Sequence, residues 1–542
     1  MSSKYHFHYD PTTGEYNDSL IGDYIWTSNN IREAAPDVMT PYTWSRIRSG
    51  YADMILLPGY LHVGNICGRL YNNSSMNVTT YQALGQRNSV KSSSEELFGI
   101  DPDELDKWDI PLIPITFRDR ALTLRNGLRF MAKVRKSMKS IQAFLDTNPT
   151  WCEKQHHILP VLGKDELVRW SNEIYHPYSI HCSWWVASSA FIQANFIGKL
   201  RRELLNIVSP DDIIALLSNV STEGEFLSSL GIVVGLDRLR RGKITRDEYI
   251  KMYGHRGPHE VERHFARPAE NPIWIDEQLD GLENTPVDVD TLLQKQRARY
   301  EAALKNLQKV VSQEFDSFLK RIKKAACLTR LREDARAERV RSWWLERVFV
   351  LRAGALCGLG EEAIFLEHDE IILLLGGQDE VTSQIPARKI AHQKFTALPE
   401  YPTIIVGRFD PFTWAADPNR RTDIFDANNR IRRRLTDQIK GLPGSAGKAE
   451  GRVRILNSPE ESNQLQPGEI LVAVTTNVGW TPIFPRAAAV VTDVGAPLSH
   501  AAIVARELGI PAVVSCGNAT MLLKTGDRVR VDGGRGTVEI LI

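Results

Sequence analysis

The chain has 542 residues, which leaves room for roughly two to four domains. Its 67 Lys and Arg against 66 Asp and Glu give a formal net charge of +1, so bulk electrostatics imply no polyanion partner, and its 42% hydrophobic content suffices for sizeable cores. Six scattered cysteines with no C-x-x-C pair argue against a disulfide framework or zinc site and suit a reducing cytoplasm, and neither a signal peptide nor a bilayer-spanning apolar run is present.

Residues 1–20 are polar and read as irregular at first. Pro36 and Pro41 then forbid one long helix, so 22–47 reads as strand, loop and a helix starting near Thr40. Trp26, Tyr42 and Trp44 there read as core residues. Residues 117–250 read as mainly helical, over 121–144, 164–173, 184–205 and 210–217. Tyr175, His176, Pro177, Tyr178, His181 and Cys182 form a break between two of these helices. Loose histidines in such a connection are polar loop residues more often than metal ligands, and no metal site is expected. In MYGHRGPHEVE, Gly254 and Gly257-Pro258 force a tight loop that presents His255, Arg256, His259 and Glu260. Arg256 suits phosphate or carboxylate, though a structural turn with solvated charges is the competing reading.

From Pro286 to Cys357 the chain is strongly helical. Leu293, Tyr300, Leu304, Leu307, Val311, Phe315, Phe318 and Ile322 predict one long amphipathic helix. A second helix carries Arg332, Arg336 and Arg339 at i, i+4 and i+7 on one face, which is either a solvated salt-bridged surface or a cation cluster facing a moving phosphoryl group. The stretch 369–375 is a short buried strand or helix. Residues 376–440 are mixed, and the basic run Arg432–Arg434 reads as a solvated face rather than a nucleic-acid site. Glycines and proline over 441–447 predict a flexible hinge into a last domain, where strands at 451–456, 469–474, 528–531 and 537–541 surround an α/β unit.

Inside that unit, 487–491 reads as a buried strand, Gly495 and Pro497 break the chain, and Ser499 caps a helix carrying Ile503, Val504 and Leu508 on its apolar face. Gly509 takes the C′ position, and a strand follows at 512–514. His500 therefore sits in the first turn of a helix, where unpaired backbone N–H groups favour an anion. Neutral imidazole is a nucleophile, and Thr492 and Ser499 could hold phosphoryl oxygens. A polar first-turn cap is the alternative reading of this histidine.

The run T-D-V-G-A-P-L-S-H-A-A-I-V-A-R-E-L-G-I-P-A-V-V closely resembles the phosphohistidine segment of the swivelling dikinases. These are phosphoenolpyruvate synthase, pyruvate phosphate dikinase, rifampin phosphotransferase and the phenylphosphate synthase large subunit. The resemblance implies that His500 carries a phosphoryl group. Ala496 stands where many members have a second glycine, and Ser515 where glycine often follows the strand. The pattern Trp26, Thr27, Asn30, Glu33, Pro36, Thr40, Pro41, Thr43, Trp44, Ser45 is similar to the opening of the acceptor-substrate domain of rifampin phosphotransferase-like enzymes. Gly68-Arg69-Leu70-Tyr71-Asn72-Asn73 and Y-G-H-R-G-P continue it. An Arg-Glu-x-x-Lys element of that domain aligns with Arg332, Glu333 and Arg336. The lysine is replaced by arginine, so Glu333 becomes the better general base.

The expected fold class is multidomain α+β. A large, mainly helical acceptor-substrate domain (1–435) precedes a small α/β phosphohistidine swivelling domain (436–542). The resemblance implies a phosphotransferase whose catalytic residues are His500, Arg332, Glu333 and Arg336, with Thr492 and Ser499 binding phosphate and Arg256 and His255 binding substrate. Neither an ATP-grasp domain, nor a Walker sequence, nor the phosphoenolpyruvate synthase barrel is visible. The expectation is one component of a split ATP-dependent dikinase. A separate ATP-grasp protein loads His500, Mg²⁺ serves that nucleotide step, and a hydroxyl of a small organic molecule is the acceptor, with no nucleic acid or membrane involved. The alternative is a non-catalytic phosphohistidine relay or regulatory protein. Autonomous use of phosphoenolpyruvate ranks last, because the barrel is missing.

Overall fold

A computed structural model describes residues 5–29, 31–86, 108–218, 227–283, 289–429, 439–497 and 499–541. Asn30, the basic run Arg432–Arg434 and the expected domain boundary at 435/436 lie outside them. The chain forms two compact units of mixed α and β structure, each assembled from separated stretches.

The first unit comprises Met1–Ser188, His259–Ala266 and Glu338–Arg433. Its sheet runs Val63–Ile66, Arg69–Asn73, Ile25–Thr27, Ile404–Val406, Ile424–Asp426. The helix Pro41–Ala52 starts where Thr40 accepts the Thr43 N–H and proline fills the first turn. Trp26, Tyr42 and Trp44 are core residues, each 1% exposed. Residues 9–10 and 15–16 pair as a short hairpin inside the stretch expected to be irregular. The stretch 369–375 is helical, within His368–Leu375.

The expected break at 175–182 is absent. Trp170–Tyr175 is a π-helical turn running straight into the helix His176–Leu204, and the His176 N–H reaches back to Ser171. Widening the turn accommodates Pro177, which has no N–H to donate and would clash in an ordinary helix. The Tyr178 hydroxyl donates to Asn148 Oδ1. Under this core, Glu346 is fully buried. Burial pushes its carboxyl up, but Arg263 (2.6 Å) and Arg46 (3.3 Å) outweigh burial and hold it at about 2. Arg339 belongs to the same core and donates to Ser179 (3.3 Å) and Ser342 (3.2 Å).

The second unit comprises Ser189–Pro258, Arg267–Ala337 and Arg434–Ile542. The amphipathic run expected as one helix is two, Val289–Val310 and Phe315–Leu356. The three- and four-residue spacing survives the turn because both helices bury the same cluster, with Tyr300, Ala303 and Leu307 packed on Phe318, Ile322 and Ala325. The sheet has eight strands in the order Ile439–Lys440, Thr537–Ile540, Arg528–Asp532, Lys448–Ile455, Ile470–Ala473, Ala489–Thr492, Ala512–Val514, Leu442–Ser445. The four strands from Lys448–Ile455 to Ala512–Val514 are parallel neighbours.

The hinge expected over 441–447 is corrected by this topology. Leu442–Ser445 is the antiparallel neighbour of Ala512–Val514, with Pro443 opposite Val513. Its missing proline N–H is tolerated at the sheet edge. Arg506 Nη2 further donates to the Gly444 carbonyl at 3.0 Å. One apolar cluster joins Leu230, Val233, Val234 and Val289 of the helical part to Leu508, Ile510 and Trp480 of the sheet part. Arg299 Nη1 adds a bond to the Gly509 carbonyl at 2.8 Å.

Candidate functional site

The strand Ala489–Thr492 is buried throughout, and its C-terminal end opens into the loop that delivers His500. Open parallel sheets bind ligands at this end of their strands. The helix His500–Leu508 forms as its sequence dictates. Ser499 in extended conformation accepts the Ala502 N–H, and Gly509 closes the helix at φ 66° in the left-handed region. Arg506 Nη2 donates to the Pro497 carbonyl at 2.7 Å and so fixes the loop before the histidine.

Thr492 Oγ1 is buried and has no hydrogen-bond partner among the described residues. Gly495 has φ +147°, and a Cβ there would lie 3.1 Å from Ser499 Oγ and 3.4 Å from Thr492 Oγ1. The absent side chain leaves free the space that these two hydroxyls border, at the mouth of a helix. An orphaned hydroxyl, a capping hydroxyl and first-turn N–H groups together form a cradle suited to an anion.

The imidazole itself is held by residues the sequence reading missed. Thr481 Oγ1 lies 3.1 Å from Nε2 and Thr476 Oγ1 3.4 Å from Nδ1. Phe484 meets the ring edge-to-face with centroids 5.9 Å apart. The signal for the threonines was present: Thr475-Thr476-Asn477 follows the predicted strand at 469–474, where a parallel sheet places functional loops.

Arg256 and Arg336 act electrostatically on the ring. Arg256 comes from the loop after Arg246–Tyr253, and Asn477 Nδ2 donates to the Pro258 carbonyl of the same loop at 2.8 Å. Gly479 permits the approach, since a Cβ there would fall 2.7 Å from Pro258 Cβ. The loop carrying Arg256 thus packs on the turn that follows Thr476. Burial first, then Arg256 and Arg336, push the His500 imidazole down to about 3. The ring is partly accessible to solvent, yet set deeply enough for burial to dominate. At neutral pH it is uncharged, the state a nitrogen nucleophile requires.

The structure therefore brings His500, Arg256 and Arg336 together, with Thr492 and Ser499 at the same helix mouth. Arg332 and Glu333 pair with each other at 3.7 Å, and the charges that act on the imidazole do not include them. His255 is 2% exposed, buried beside Arg256. Among the described residues no group of three His, Cys, Asp or Glu side chains could hold a metal ion.

Comparison with known proteins covers the segment that carries His500. The family model of the PEP-utilising enzyme mobile domain matches residues 465–536. An uncharacterised protein of Mycobacterium tuberculosis is 33% identical over 298 residues, covering 54% of this chain and 31% of its own length. The prodigiosin synthesizing transferase PigC of Serratia marcescens is 32% identical over 306 residues, covering 54% of this chain and 33% of its own. Rifampicin phosphotransferase of Bacillus cereus is 48% identical over 105 residues, covering 19% of this chain and 12% of its own. The chain spans about a third of the length of the first of these relatives. The histidine strand, the cradle and the helix all lie inside the matched segment, which is similar to the mobile domain of PEP-utilising enzymes.

Proposed function

We propose that this chain is the transferase component of a phosphohistidine phosphotransferase. His500 takes a phosphoryl group from a donor outside the described residues and passes it to a hydroxyl of a small organic acceptor. The observation that carries the reading is a neutral imidazole placed between its own threonines and two arginines from the helical part of the same unit.

In loading, the bond between the α- and β-phosphoryl groups of ATP breaks, AMP leaves, a phosphorus–nitrogen bond forms on the ring, and hydrolysis releases the terminal phosphate, so that one phosphoryl group stays on His500. A separate ATP-grasp protein would hold that ATP and any Mg²⁺ the nucleotide step requires. In unloading, the phosphorus–nitrogen bond breaks, the acceptor oxygen bonds to phosphorus, and the hydroxyl proton leaves to a base. Phosphoryl transfer needs positioning and fixed cations more than covalent help. Arg256 and Arg336 supply the cations, and the cradle of Thr492 and Ser499 holds phosphoryl oxygens. Glu333, paired with Arg332, is the carboxylate we assign to the hydroxyl proton. Rifampicin phosphotransferase, by its name, phosphorylates a small organic molecule, and this supports the acceptor class. Because Leu442–Ser445 is a sheet strand, any swing carries that strand along with the module.

Incubated alone with ATP labelled at its β-phosphoryl group, the purified chain stays unlabelled on this account. Adding the cognate ATP-grasp protein labels it, and His500→Ala stays blank. Label on His500→Ala would remove the assignment.

A further inference from the structure

The helix Phe117–Ile158 carries a feature that the phosphotransfer reading leaves unused. Its inner face is spent within its own unit: Thr123, Val134 and Ile141 are buried, and Asn126 Nδ2 donates to the Leu56 carbonyl at 3.1 Å. Its outer face is apolar. Phe117 is 88% exposed, Leu128 76%, Leu124 47% and Met131 38%, and Ala121 between them is exposed too. Positions 117, 121, 124, 128 and 131 alternate steps of four and three, which is the a/d line of a heptad. Such a line is the narrow seam that takes one partner helix, narrower than the apolar face a helix lays into a core or a lipid surface.

Charge decides what that helix is. Arg118 and Arg125 occupy e positions, Arg120 a g position, and Arg129 lies beside them, all exposed. Arg135 extends the seam at an a position. The only carboxylate from Phe117 to Ile141 is Asp119. A second copy of this chain would set arginine against arginine, so self-association is disfavoured. We propose that Phe117–Met131 is a docking seam for an amphipathic helix of another protein, with leucine or isoleucine at its a and d positions and glutamate or aspartate at e and g.

The test uses the full chain and a synthetic helix of about three heptads with Leu at a/d and Glu at e/g. Wild type should bind this peptide at least about tenfold tighter than a Lys-flanked twin, and binding should weaken as salt rises. Leu124→Asp with Leu128→Asp, both at exposed positions, should abolish binding while the circular-dichroism melt stays in place. Arg118→Glu, Arg120→Glu and Arg125→Glu together should reverse the preference to the Lys-flanked peptide. Equal affinity for the two peptides in wild type would overturn the proposal. So would binding to phosphatidylglycerol vesicles but not to peptide, which would make the face a lipid surface. A dimer in the ultracentrifuge that Leu124→Asp dissolves would assign the seam to a second copy. Tighter peptide binding after neutralising Glu95, Glu96, Asp101, Asp103, Glu104 and Asp106 would assign it to the chain's own acidic stretch. Either result also contradicts the proposal, and neither bears on His500.

Discussion

His500 is kept neutral by two effects that add. Burial disfavours the cation, and Arg256 and Arg336 disfavour it again. By NMR its ring should titrate near 3 and stay uncharged from pH 8 to pH 5. Arg336→Gln should raise that value only part of the way towards 6.5, because burial is the larger cause. A full return to the ordinary value would show that the arginines, not burial, set it. The folded value lies below the unfolded one, so the unfolded chain takes up the proton first. Stability from this group is complete above about 6.5 and is lost as pH falls towards about 3. Ser515 makes a second test at this scale. Its φ of 59° is in the left-handed region. Ser515→Gly should stabilise the fold by about 1 kcal/mol in denaturant unfolding, and a loss of stability would show that the serine side chain does more than strain the backbone.

The histidine element was legible because every signal in it is local. Cap, apolar face and C′ glycine sit within about three turns of helix, and the structure places each as read. The misread elements depended on partners distant in sequence. Glycines and proline at 441–447 read as a hinge, yet a strand some seventy residues downstream recruits them into a sheet. Pro177 read as a break, yet a π-turn absorbs it. Thr476 and Thr481 were missed because their relation to His500 exists only once two neighbouring parallel strands align their ends. Gly495 tests the cradle at this scale. Gly495→Ala forces a side chain into φ +147° and into the space beside Ser499 and Thr492. The strain should cost about 1–3 kcal/mol. Phosphoryl label on His500 should fall further than the lost folded fraction explains. Full labelling of folded Gly495→Ala would remove the cradle from the account.

At the scale of the molecule, a linear reading divides the chain once, whereas the contacts gather three separated stretches into each unit. Helices of 189–337 share a core with the C-terminal sheet through Leu230, Val233, Val234 and Val289. That packing brings Arg256 and Arg336 to the imidazole, and no local periodicity announces it. Arg332, Arg336 and Arg339 lie on one helical face, as spacing required. The fold nevertheless uses Arg339 in the first unit's core and Arg336 at His500. The central claim, a phosphoryl group carried on one histidine, can be tested without knowing donor or acceptor. The chain would be isolated from its own cells under alkaline conditions and its peptides mapped by mass spectrometry. The account predicts a single acid-labile, alkali-stable phosphoryl group on the peptide containing His500, absent from a His500→Asn strain. The same modification on another residue, or its persistence in His500→Asn, would contradict it.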